Sequence, residues 1–112
     1  MNNYQYSRLN QDIELYGYSQ IGNYRGFKFE LKRHPSFRTW CGYIYLSNLD
    51  VPTYNLLDGI SHGGLTYGDD DKIGFDCAHY NDFPVFPQGI YRDYDYVKGI
   101  ITKMIDAYLD KE

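Results

Sequence analysis

Residues 39–46 read Thr39-Trp40-Cys41-Gly42-Tyr43-Ile44-Tyr45-Leu46, aromatic or apolar at nearly every step. Aromatic and branched side chains fit a pleated surface, and a run that is apolar on both faces belongs inside a sheet. Upstream, Phe27, Phe29 and Leu31 alternate with Lys28, Glu30 and Lys32, the period of a strand with one buried face. His34-Pro35-Ser36 makes the turn between the two, because the residue before proline is held extended.

Downstream, Ser61–Tyr67 (SHGGLTY) and Lys72–His79 (KIGFDCAH) flank Gly68-Asp69-Asp70-Asp71, a turn by composition, and predict a hairpin. Pairing Tyr67 with Lys72 sets His62 opposite Cys77, Gly63 opposite Asp76, Gly64 opposite Phe75 and Thr66 opposite Ile73. Phe75 then lies over the bare Gly64, and open space is left beside the Asp76 carboxylate. Residues 47–60, with Pro52 and Gly59, read as a long loop, and residues 80–90, with Pro84, Pro87 and Gly89, as another.

Residues 92–111 read as a helix. Asp93 is a good N-cap, and Asp95 favours the positive end of the helix dipole. Val97, Ile100, Ile101, Met104, Ile105 and Tyr108 form one apolar stripe, and Gly99 weakens the helix by about 1 kcal/mol relative to Ala. Residues 1–24 are polar and tyrosine-rich, with Gly17 and Gly22 as breakers, and Asp12–Tyr16 fits either a short strand or a helical turn. The expected fold is α+β: an antiparallel sheet of about four strands within residues 25–90, with the C-terminal helix packed on one face.

The chain has 112 residues, which fits a single domain, 1–112, with one modest core and a radius of gyration of about 13 Å. Its formal net charge of −4 excludes a basic nucleic-acid clamp. The first 56 residues carry +2 and the remainder −6, so the two halves attract. Two cysteines without a CxxC pair exclude a zinc ribbon and fit reduced, buried thiols. The N-terminus lacks a basic region followed by an apolar one, and no apolar run approaches the ~20 residues that span a bilayer. A soluble intracellular protein is expected.

Candidate chemistry is densest in His62-Gly63-Gly64 and Asp76-Cys77-Ala78-His79, with Asp82 close behind. On the expected pairing His62, Cys77 and His79 share a face, a zinc-type ligand set with Cys41 as a possible fourth member, although the spacing matches no established zinc motif. The bland reading is a buried cysteine and two hydrogen-bonded histidines. An acid–base reading has Asp76 or Asp82 orient His79 or His62. Cys77 as nucleophile is disfavoured by its apolar mid-strand setting. No P-loop, dinucleotide fingerprint, HExxH or EF-hand spacing is present, and Asp69-Asp70-Asp71 reads as a solvated turn. A third reading is binding alone. Glycines admit a ligand to the backbone, rings of Tyr67 or Trp40 stack on a base, and Arg25, Lys28, Lys32, Arg33 and Arg38 hold phosphates. The fourteen tyrosines also fit an interface or a homo-oligomer, and most are explained by half-buried sheet faces.

HGGLTY (62–67), GFDCAH (74–79) with Asp82, YRD (91–93) and YV (96–97), preceded by Trp40-Cys41-Gly42-Tyr43, resemble a family of small proteins encoded by tailed phages and prophages. The resemblance covers roughly residues 39–110, leaves the N-terminal third unmatched, and carries over His62, Gly63, Gly64, Thr66, Tyr67, Phe75, Asp76, His79, Asp82, Arg92 and Asp93. It implies a phage origin, a shared fold and a site of action in the host cytoplasm. The context implies counter-defence. The expected function is a non-catalytic binding protein that sequesters a small anionic ligand such as a nucleotide signal. Its pocket takes His62, Gly63, Gly64, Asp76, His79 and Asp82, with Trp40 and Tyr67 for stacking and Arg38 or Arg92 for the anion. That reading needs no cofactor, membrane or direct nucleic-acid contact. Two alternatives stand beside it. One is an anti-CRISPR-like inhibitor that sets its acidic half against a host defence protein. The other is a metal-dependent hydrolase, with zinc on His62, Cys77 or Asp76, and His79, and Asp82 as base.

Overall fold

The TWCGYIYL run supplies the middle strand of the sheet. In the computed structural model, which describes residues 2–111, the elements are α1 (Asn3–Tyr16), β1 (Ser19–Tyr24), β2 (Phe27–Arg33), β3 (Trp40–Ile44), α2 (Val51–Ile60), β4 (Tyr67–Gly68), β5 (Ile73–Asp76) and α3 (Tyr94–Leu109). The sheet is antiparallel, with five strands in the order β1-β2-β3-β5-β4. The fold is α+β, as the sequence patterns predict, with one strand more than expected: β1 lies before residue 25, outside the 25–90 span expected for the sheet, and pairs with β2.

Alternation decides which side of the sheet is core. Phe29, Leu31 and Arg33 of β2 turn inward, as do Trp40, Gly42 and Ile44 of β3. Gly42 lacks a side chain because Phe75 of the paired strand lies over it, and a Cβ there would sit 2.9 Å from the Phe75 ring. The α3 stripe closes this face, with Val97, Ile101, Met104 and Ile105 buried. Burial of each such side chain contributes roughly 1.5–3 kcal/mol. Asp93 caps α3 by accepting the Tyr96 N–H at 2.8 Å. Among the described residues no helix is long and apolar enough to cross a membrane.

Two expectations are corrected, and of the two readings open for Asp12–Tyr16 the helical one holds. Residues 47–60 are not all loop: Asp50 caps α2, Pro52 occupies the first turn, where no N–H is needed, and Leu57 anchors the helix in the core. Asp12–Tyr16 is the end of a four-turn helix. Only a narrow apolar side is needed there, because Leu9 and Ile13 pack against a satellite cluster of Phe83 and Tyr91.

The second correction is the hairpin register. Tyr67 pairs with Gly74 and Gly68 with Ile73, and β4 is only two residues long. The Asp69 carboxylate accepts the Asp71 and Lys72 N–H groups at 2.8 and 2.9 Å, and its own N–H bonds the Lys72 carbonyl. The turn therefore occupies 69–72, and the register slips by two. His62, Gly63 and Gly64 are released from strand pairing into a turn after α2. Asp76 faces Cys41, and Phe75 lies over Gly42 instead of Gly64.

Candidate functional site

Asp82 sits in the loop after β5 with 0% of its surface exposed. The loop is folded on itself: the Asp82 N–H bonds the His79 carbonyl, and the Phe86 N–H returns to the Asp82 carbonyl. The carboxylate is held from four directions. His62 Nε2 lies 2.8 Å from Oδ2 and 2.9 Å from Oδ1. Arg92 donates Nε–H to Oδ1 at 2.9 Å, and the His79 backbone N–H reaches Oδ2 at 3.0 Å. His79 Nδ1 stands 3.3 Å from the same Oδ2.

Burial alone would raise the pKa of Asp82. The hydrogen bonds from His62, Arg92 and the His79 N–H outweigh it and bring the group down to about 2. At neutral pH it is an acceptor only, so His62 Nε2 carries the proton between them. On the other side of the ring, Nδ1 lies 2.8 Å from the Tyr96 hydroxyl. Burial raises Tyr96, and the phenol keeps its proton. The result is a chain Asp82–His62–Tyr96. His79 has a matching arrangement: Nε2 lies 3.4 Å from Asp76 Oδ1, and the two imidazoles are 5.6 Å apart.

Helix α2 delivers His62. Ser61 ends the helix and bonds its hydroxyl to the Asp58 carbonyl, while the Asp58 carboxylate accepts the Leu65 N–H at 2.8 Å. Between them Gly63 and Gly64 take φ of +73° and +93°. A Cβ on Gly63 would meet the His79 ring at 2.6 Å. The space that sequence reading reserved for a ligand at Gly63 holds this imidazole.

His62, His79 and Asp82 each offer a ligand atom within 4.8 Å of the others. Cys77 is buried and outside that group, so Asp82 stands where the expected ligand set had Cys77. Burial, then the charge of Asp76, raises the Cys41 thiol to about 11, and burial raises Cys77 well above the ordinary range. Neither is a thiolate near neutral pH.

Other expected ligand residues lie apart. Trp40 is fully buried beneath the Arg33 guanidinium, 3.8 Å from its ring centre, and cannot stack on a ligand. Tyr67 is on the edge strand, hydrogen-bonded to Asp69 and edge-on to Tyr43. Arg38, with φ of +62°, gives its carbonyl to Arg33, and no hydrogen bond or ion pair joins it to the cluster among the described residues. Arg92 does join. Cavities of about 440 and 370 Å³ open beside Tyr6 and Pro87 and beside Pro52 and Lys111, and none of the expected site residues lines either. Sequence reading missed Tyr96 and Asp58 as site residues. Tyr96 carried a signal, being an aromatic residue one turn into the helix and off its apolar stripe.

No family model, no curated protein and no solved structure matches this chain. The chemistry of the site follows from its geometry.

Proposed function

We propose that the protein binds one divalent transition-metal ion, zinc by preference, on His62 Nε2, His79 Nδ1 and an Asp82 oxygen, and that it is a metal-dependent hydrolase. One observation carries the reading. Each imidazole turns one nitrogen toward Asp82 and holds the other on an outer partner, Tyr96 for His62 and Asp76 for His79. Metal-bound histidines are oriented by such outer partners. Imidazole and carboxylate suit zinc, whose bonds of about 2.0–2.2 Å set neighbouring ligand atoms roughly 3.3 Å apart in a tetrahedron. The separations of 2.8 and 3.3 Å from Asp82 Oδ2 lie within about half an ångström of that spacing, and the three ligand atoms all lie within 4.8 Å of one another.

Binding requires the His62 proton to move from Nε2 to Nδ1, a change of tautomer of the neutral ring. Nδ1–H then donates to the Tyr96 oxygen, so the outer bond survives with its direction reversed. Three protein ligands leave a fourth position for water, whose pKa the ion lowers. Asp82, saturated with donors, serves as ligand in place of the base expected of it. The phage resemblance supports a counter-defence setting for such an activity.

Native mass spectrometry of chelator-stripped protein given one equivalent of zinc tests the reading. The expected result is one zinc per chain, lost in His62→Ala. Stripped wild-type protein that takes up no stoichiometric zinc, cobalt or manganese at micromolar concentration overturns it.

A further inference from the structure

We infer that the substrate of this centre carries a phosphoryl group, held between the metal and the Arg92 guanidinium; this rests on the metal reading above. Arg92 uses one of its five N–H donors within the cluster, Nε–H to Asp82 Oδ1. Its two terminal nitrogens have no hydrogen-bond partner among the described residues, and neither is a buried unsatisfied atom, so both reach solvent. The Tyr96 ring, 5.2 Å from the guanidinium carbon, supports its plane. The Nε bond to Asp82 pins one edge of the guanidinium next to the carboxylate and leaves the terminal nitrogens as a two-pronged donor.

The spacing suits a tetrahedral oxyanion. Asp82 holds Arg92 on Oδ1 and faces both imidazoles with Oδ2, and His62 Nε2 also lies 2.9 Å from Oδ1. A group on the far side can set one oxygen on the ion and another on an Arg92 N–H at about 2.8 Å. Charge makes the site conditional. With neutral imidazoles, Asp76 and Asp82 against Arg92 leave one uncompensated negative charge, which repels an anion. A dication reverses the sign to one positive charge. Anion binding is therefore metal-dependent. In the hydrolysis this supports, the water oxygen bonds phosphorus as the phosphorus–ester oxygen bond breaks, and a water proton ends on the leaving alcohol.

Cobalt(II) gives a visible spectrum that reads both steps. Protein loaded with Co²⁺ alone is titrated with inorganic phosphate and, separately, with dimethyl phosphate, with acetate and chloride as controls. The expected result is a saturable spectral change with phosphate at millimolar concentration or below, at least tenfold tighter than with acetate or chloride. A response to phosphate above that to dimethyl phosphate assigns a monoester, and the reverse a diester. Arg92→Gln should weaken phosphate at least tenfold more than it weakens Co²⁺, and Arg92→Lys, which keeps the charge without the fork, should fall between. Cobalt bound in a defined coordination but indifferent to phosphate, or responding equally to acetate, overturns the phosphoryl assignment and leaves the metal reading standing. Failure to bind Co²⁺ removes the metal reading itself.

Discussion

Two buried carboxylates hold this protein together, and they differ in who their donors are. Asp12, on α1, accepts the Trp40 indole N–H at 2.8 Å, the Tyr91 hydroxyl, the Tyr94 N–H and the Arg33 guanidinium at 3.3 Å. Asp82 accepts from His62, Arg92 and His79. Adjacent residues ahead of α3 divide between them, Tyr91 toward Asp12 and Arg92 toward Asp82. Donors to Asp12 do not lose their protons near neutral pH, and the Arg33 side chain is fully enclosed. That centre is a lock. Around Asp82 two donors are imidazoles, which can exchange a proton for an ion, and the His79 side chain is 30% exposed. A buried carboxylate is structural or chemical according to whether its donors can leave.

The sharpest way to break this contrast is at the lock. Asp12→Ala leaves the Arg33 charge buried and unpaired, and should cost about 3–5 kcal/mol in urea unfolding. Asp82→Asn, whose Arg92 partner reaches solvent, should cost less in the metal-free protein and remove metal binding. Equal losses from the two variants would erase the distinction.

A second test follows from acidity. Asp82 sits at about 2 in the folded protein against an unfolded value of about 3.9. Its stabilisation is complete above the unfolded value and is lost as pH falls from about 4 toward 2. The size is on the order of 2–3 kcal/mol. Stability measured against pH should show this acid limb in wild type, and Asp82→Asn should flatten it. An unchanged limb would mean that other carboxylates dominate acid unfolding.

Two glycines give the smallest effects, with opposite signs. Gly63→Ala forces a side chain into φ of +73° and against the His79 ring. It should cost roughly 1–3 kcal/mol and weaken metal binding. Gly99→Ala, in α3 with nothing within 4 Å of the new Cβ, should stabilise by about 0.5–1 kcal/mol in thermal unfolding. A Gly63 variant with unaltered metal affinity would show that His79 does not need that packing.

Much of the frame was legible along the chain. The alternation in β2, the doubly apolar β3, the Asp93 cap and the α3 stripe are local patterns, and each appears where its period placed it. Helix α2 escaped because its Asp-Val-Pro start reads as a loop unless Pro52 is recognised as a first-turn residue. The hairpin slipped by two because Asp69 folds its carboxylate back on the turn, a choice that Asp70 and Asp71 leave open to the eye. The pairing of an aspartate with a histidine was foreseen for Asp76 or Asp82. That Asp82 takes both histidines, and that Asp12 matters at all, was not.

By itself the sequence determined β2, β3 and β5, the covering helix and a concentration of imidazole and carboxylate around residues 62–82. Those follow from side-chain periodicity and capping, which act over a few residues. Tertiary structure alone decided which groups meet. His62 reaches Asp82 across 20 positions and Tyr96 across 34, and Asp12 reaches Tyr91 across 79. Such contacts form only when loops close and the core packs. The physics that chooses them is the burial of two charges that each need a full set of donors, and no short stretch of chain can supply that set.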